Sequence, residues 1–199
     1  MKIIYSDNDI VAIIKPVGAD SQNQIPEMIK EQLGGEIFTV HRLDKNVGGV
    51  MVYARNKNTA AYLSKIIQNG EMVKEYVALV HGTPQGSAVL QDFLFKDSSK
   101  NKVFVVKRER KGVKKASLEY ETLVAGEKSL VHIKLHTGRT HQIRVQFASR
   151  GFPLVGDKKY GSREKSNIPM LFSCKITFPY KNEIKAFEAL PDWAEKRDE

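Results

Sequence analysis

The chain has 199 residues, of which 41% are hydrophobic and 28% charged, with a single cysteine. That lone Cys174 excludes an internal disulfide framework and a Cys-rich zinc or iron–sulfur cluster, and no apolar run reaches the roughly 20 residues of a membrane span. Lys+Arg 32 against Asp+Glu 23 gives a formal charge of +9, which favours polyanions through Coulomb attraction and counterion release. A nucleic-acid partner and a merely soluble basic surface both fit this balance. The opening MKIIYSDND lacks the apolar stretch of a secretory signal. The expectation is a soluble, reduced, cytoplasmic protein folding as one domain over residues 1–199, with a frayed polar tail at 192–199.

In chain order, the β-branched runs Lys2–Ser6 and Ile10–Lys15 predict two strands joined by the turn Asp7-Asn8-Asp9. Lys15-Pro16-Val17-Gly18 breaks the pattern, because proline lacks an N–H and glycine permits a tight bend. Ile25, Met28, Ile29 and Leu33 at helical spacing predict a helix over Gln24–Leu33, stopped by Gly34-Gly35. Strands are expected at 37–42 and 50–54, on either side of the segment 43–49, then a helix over 58–69 ending at Gly70. Further strands are expected at 72–80, 116–124 and 130–136.

Within 100–115, eight basic residues (Lys100, Lys102, Lys107, Arg108, Arg110, Lys111, Lys114 and Lys115) face the single acid Glu109. Around a strand-like 103–106 this reads as an exposed ribbon or loop, either a solvated arm or a phosphate-binding flap. A short helix is expected over 140–150 with Gly151 as its cap, and the last strands at 170–178 and 183–187. Many strands and few helices, not alternating one for one, argue for an α+β domain rather than a doubly wound sheet.

Three segments carry possible chemistry. Val40-His41-Arg42-Leu43-Asp44-Lys45-Asn46-Val47-Gly48-Gly49-Val50 sets a carboxylate in a turn at a strand end, where Asp44 serves either catalysis or a local backbone hydrogen bond. On the helix near 140–150, Thr140, Ile143, Arg144 and Phe147 share a face. Arg144 borders that apolar stripe, so it needs a carboxylate partner unless it snorkels outward along its stem. On the strand at 72–80, alternation puts Lys74, Tyr76 and Ala78 opposite the fuller apolar face of Val73, Val77 and Leu79. Tyr76 there suits base stacking, proton handling or ordinary half-burial. Competing chemistries fare worse: His132 and His136 would lie about 13 Å apart on a strand, too far to share a zinc. Neither a P-loop nor a dinucleotide fingerprint occurs, and Cys174 in its apolar run reads as packing.

Taken together these segments resemble the RluA-type family of RNA pseudouridine synthases, along nearly the whole chain. Ile10-Val11-Ala12-Ile13-Ile14-Lys15-Pro16-Val17-Gly18 resembles its opening strand and Lys-Pro-x-Gly turn, and His41-Arg42-Leu43-Asp44 its nucleophile motif. Lys74-Glu75-Tyr76 is similar to its Lys-x-Tyr strand. Gly138-Arg139-Thr140-His141-Gln142-Ile143-Arg144 and Gly156-Asp157-Lys158-Lys159-Tyr160-Gly161 resemble its later signatures. Many members continue the aspartate motif with Thr-Ser-Gly where this chain has Val47-Gly48-Gly49, a departure that leaves Asp44 in place.

The resemblance implies a pseudouridine synthase catalytic fold, with a mixed, mostly antiparallel sheet and flanking helices and loops, that isomerises uridine in ribosomal or transfer RNA with neither a metal nor an organic cofactor. It implies Asp44 as nucleophile or base, Arg144 as the cation holding that carboxylate ionised, and Tyr76 packing under the uracil and moving a proton. The target base would be flipped out, with Arg42 filling the vacated space. His41 and Lys74 are expected to contact RNA; Arg139 and His141 either touch phosphate or are structural. The opening strand matches the start of the family's catalytic domain, so the expectation is no preceding RNA-binding domain and docking through basic surface such as 100–115. A monomer without obligate protein partners or membrane contact is expected. The competing reading is a catalytically inactive RNA-binding protein of the same fold.

Overall fold

The computed structural model describes residues 1–195. In chain order its elements begin with β1 (Lys2–Ser6), β2 (Ile10–Lys15), α1 (Gln24–Leu33), β3 (Phe38–Thr39), β4 (Gly48–Ala54), α2 (Lys57–Gln68) and β5 (Val73–His81). They continue with β6 (Ser87–Asp97), β7 (Lys102–Val106), β8 (Val113–Val124), β9 (Lys128–Leu135) and α3 (Gln142–Ala148). A 3-10 turn at Lys158–Tyr160, β10 (Leu171–Tyr180), β11 (Glu183–Glu188) and α4 (Asp192–Glu195) complete the described chain. It forms two compact units, one of Met1–Lys74 with the described residues from Phe172 on, the other Glu75–Leu171.

In the first unit the strands run β1-β2-β4-β10, with β3 on β4 and β11 on β10. All of these pairs are antiparallel except β4 with β10, which is parallel. β2 and β4 are runs of β-branched and small apolar residues, and such runs suit strands buried on both faces; every residue of β4 is buried. The helix α2 lays Leu63 and Ile66 onto Val50, Val52, Ile176 and Phe178. It starts where the Asn56 side chain accepts the Thr59 N–H at 2.9 Å, an N-cap that satisfies an otherwise orphan donor. Pro26 fits within α1 because it occupies the first turn, whose N–H groups lack intrahelical acceptors.

In the second unit the order is β5-β9-β8-β6-β7, and the pairs β9–β8, β8–β6 and β6–β7 are antiparallel. One face buries Leu94, Val103 and Ala116 against Val145 of α3 and against Tyr160. Phe147 packs on Tyr120, ring centroids 5.1 Å apart.

The expected α+β class holds, with five departures in detail. The strand expected at 37–42 shrinks to Phe38–Thr39, since the chain then turns to present the His41 ring to β4. β6 has no counterpart among the expected strands: its 11 residues bury only Leu90 and Leu94 fully, too weak an alternation to stand out. The helix expected over 140–150 is confined to Gln142–Ala148, because His141 takes φ 51°, which no helix residue adopts. Part of the expected frayed tail, Asp192–Glu195, is a helical turn with Ala194 buried; residues 196–199 lie outside those described. Finally, β5 is not half-buried: Tyr76, Val77, Ala78, Leu79 and Val80 are all buried, so strand parity does not turn Tyr76 away from an apolar face.

Candidate active site

Asp44 is half-buried in the first unit, within a turn closed by the Val47 N–H donating to its carbonyl oxygen at 2.9 Å. The turn is clamped on both sides of the acid. On one side the Ser21 hydroxyl donates to the Leu43 carbonyl at 3.0 Å, and the Leu43 N–H donates back to it. Ser21 is itself fixed by the Tyr53 hydroxyl, which donates to its carbonyl at 2.7 Å. On the other side the Lys45 carbonyl accepts the Gly18 N–H at 2.8 Å and the Lys15 ammonium at 3.2 Å.

Lys15 is 1% exposed, and its Nζ also donates to the Pro16 and Ala19 carbonyls, both at 2.9 Å. A buried ammonium is costly unless its donors are used, and here all three meet carbonyl oxygens. Burial brings its pKa down to about 8, opposed by the negative charges of Asp20 and Asp44. The Lys-Pro-x-Gly turn thus serves as a peg for the loop that carries the aspartate.

The departure from Thr-Ser-Gly falls at Val47 and Gly48, while Gly49 keeps the motif's glycine. Val47 is buried as core, and Gly49 takes φ +126° opposite Ser173. A Cβ on Gly49 would lie 2.4 Å from the Ser173 carbonyl oxygen and 2.5 Å from its nitrogen, a backbone clash no side chain can relieve. Gly49→Ala is therefore expected to cost about 3 kcal/mol, measured by urea unfolding. A loss within about 0.5 kcal/mol, the range of ordinary surface changes, would contradict this geometry.

His41 and Lys74 meet in the same unit. The Nε2 of His41 accepts the Val52 N–H at 3.1 Å, so this nitrogen serves β4 as an acceptor. Burial, then the positive charge of Lys74, hold the His41 pKa down to about 3 from its ordinary 6.5, and burial lowers that of Lys74. Between these two pH values the unfolded chain binds the proton the native ring refuses, so stability falls as pH drops from 6.5 towards 3. A His41→Gln variant lacks this titration, and its stability deficit against wild type is expected to narrow over that window in unfolding midpoints. Parallel curves would contradict a neutral native His41. Arg42 is exposed, and its charge helps lower the pKa of Asp20, though less than the Asn23 and Gln22 N–H groups do.

In the second unit Arg144 is 7% exposed rather than snorkelling. Its Nε–H donates to Oδ2 of Asp157 at 2.6 Å and its Nη2 to Oδ1 at 2.8 Å, a bidentate pair with Asp157 only 1% exposed. The expectation that this guanidinium needs a carboxylate is met by Asp157. Tyr160, from the same motif, stacks against the guanidinium at 5.1 Å. Its hydroxyl accepts the Val103 N–H at 2.9 Å and shares a hydrogen bond with Nδ1 of His141, also at 2.9 Å. Gly156 permits this placement, since a Cβ there would sit 2.1 Å from the Ile168 carbonyl oxygen. Gln142 holds the loop before α3: its Oε1 accepts from the Thr137 hydroxyl and the Arg139 N–H, and its Nε2 donates to the Ser117 carbonyl. Arg139 is exposed, with its Nε donating to the Lys115 carbonyl at 3.0 Å.

Asp157 and Tyr160 are the residues that sequence reasoning missed as partners of Arg144 and His141. Their signal was the motif Gly156-Asp157-Lys158-Lys159-Tyr160-Gly161, which resembles the family without stating what its side chains touch. His132 and His136 each meet a carboxylate, Glu75 and Glu119 respectively. Among the described residues no group of three or more His, Cys, Asp or Glu is placed to hold a metal ion. Among them, too, no helix is long and apolar enough to cross a membrane.

A model of the RNA pseudouridylate synthase family matches residues 11–149, which includes the Asp44 turn, Tyr76 and Arg144. The chain belongs to that family. It is 33% identical over 208 residues to the ribosomal large subunit pseudouridine synthase D of Borreliella burgdorferi, covering 93% of this chain but 63% of that protein. It is 35% identical to an uncharacterised RNA pseudouridine synthase of Zymomonas mobilis, covering 96% of this chain and 94% of the other. Among solved structures, human RNA pseudouridylate synthase domain containing 1 is similar with a TM-score of 0.83 at 22% identity, over 96% of this chain and 83% of that one. That likeness shows the pseudouridine synthase fold.

Proposed function

We propose that this chain converts uridine to pseudouridine in structured RNA, with the Asp44 carboxylate starting the reaction as nucleophile or base. The observation that carries this reading is Asp44 itself, held in the family's aspartate motif by a turn pegged at Leu43 and Lys45. Such rigid support is what a reacting carboxylate needs, because positioning supplies much of the rate. The bond change breaks C1′–N1 and forms C1′–C5; the C5 hydrogen leaves as a proton and N1 gains one, so no oxidant or reductant is consumed. Tyr76 is assigned to the uracil ring and proton transfer, and Arg144 to keeping Asp44 ionised. Arg42 fills the space of the everted uridine, with His41, Lys74, Arg139 and His141 supporting the RNA. The charge of +9 fits an RNA substrate. Relatives named for ribosomal RNA and transfer RNA pseudouridine synthases support these two substrate classes.

The test is to incubate the purified protein with RNA from a strain lacking its gene and map pseudouridine. Restoration at discrete uridines is expected. An inactive RNA-binding protein, the competing reading, would bind that RNA and restore none.

A further inference from the structure

The hairpin β6–β7 and strand β8 have one buried face and one that carries aromatic rings and cations. Register sets Phe95 opposite Phe104, and Phe93 opposite both Val106 and Lys115, so these side chains share the face turned away from Leu94, Val103 and Ala116. Each ring has a cation against it. Arg110 lies 5.2 Å from the Phe95 centroid, Lys115 6.0 Å from Phe93, and Lys102 and Lys100 5.8 and 6.0 Å from Phe104. Phe104 is 36% exposed, and the Lys100 and Lys115 side chains are 68% and 73% exposed. Their acidic neighbours Asp97 and Glu109 stand 3.9 and 3.6 Å away, loose surface pairs that a phosphate can displace.

We propose that this face is a docking platform for unpaired nucleotides of the RNA substrate, with bases on the Phe104–Phe95–Phe93 rings and phosphates on Lys100, Lys102, Arg110 and Lys115. The inference rests on the RNA-modifying reading and adds to it a preference for single-stranded over duplex RNA. Charge alone would hold any polyanion, and a solvated arm has no use for three aligned phenylalanines. Base faces stack on such rings irrespective of sequence, whereas a paired base keeps its faces inside the duplex.

The experiment measures binding of single-stranded oligouridine, an RNA duplex of equal length and a polyglutamate peptide. It compares the full chain with Phe104→Ala, Phe104→Tyr and Lys100→Ala/Lys115→Ala variants. Phe104→Ala is expected to weaken oligouridine binding about tenfold with its salt slope unchanged. Phe104→Tyr should restore it, and the duplex affinity should not move. The lysine variant should lower the salt slope by about 0.7 for each phosphate it no longer neutralises. Unchanged oligouridine affinity in Phe104→Ala, equal loss for the duplex, or polyglutamate binding as tight as RNA would overturn the platform. Pseudouridine formation by wild type, measured in parallel, separates the two readings. An active protein indifferent to Phe104 refutes only the platform, while an inactive one with the expected binding pattern refutes only the catalytic reading.

Discussion

Asp44→Asn is expected to abolish pseudouridine formation, by about a thousandfold or more, while leaving RNA affinity and folding close to wild type. The amide has the shape of the carboxylate but neither its basicity nor its nucleophilicity, and losing a covalent or general-base group costs rates on that scale. The turn should survive the change because its clamps are on the neighbours: Ser21 at Leu43, and Lys15 with Gly18 at Lys45. The measurement is single-turnover pseudouridine formation beside equilibrium RNA binding. Activity within tenfold of wild type would remove Asp44 from the reaction.

The second large effect is on stability. Asp157→Ala is expected to destabilise the protein by about 3–5 kcal/mol, because it breaks the buried bidentate pair that the carboxylate makes with Nε and Nη2 of Arg144. Replacing both partners by apolar residues, Arg144→Met with Asp157→Leu, should recover much of that loss, since both buried charges are then removed. Urea unfolding of the two single variants and the double variant completes the cycle. An Asp157→Ala cost below about 1 kcal/mol, typical of an exposed pair, would contradict a buried bidentate bridge. At a temperature where Arg144→Met remains folded, turnover should fall further than RNA affinity. Equal losses would mark Arg144 as a phosphate contact instead.

Much of this is legible in the sequence alone. The strands β1, β2 and β4, the helices α1 and α2, and the α+β class follow from β-branched runs, helical spacing and glycine stops, which are local signals. The Asp44 motif can be read because its residues are contiguous. What cannot be read depends on contacts distant in sequence. Nothing local says that Asp157 claims Arg144 thirteen residues away, or that Lys15 reaches thirty residues to the Lys45 carbonyl. His41 illustrates the same limit: the family resemblance offers it as an RNA contact, and nothing local says that its Nε2 accepts the Val52 N–H. Tyr76 fails for another reason, since alternation distinguishes the faces of a strand only when one of them is wet. Gly49 reads only as the retained glycine of Thr-Ser-Gly, and the steric demand of Ser173 becomes visible only with the parallel pairing of β4 and β10.

The central claim concerns bond exchange at C5 of uridine, and the most direct measurement is release of tritium from RNA labelled at that carbon. Purified wild-type protein should release tritium in step with pseudouridine formed, and Asp44→Asn should release none while binding the same RNA. Tight binding by wild type with no release, or equal release by Asp44→Asn, would contradict the account.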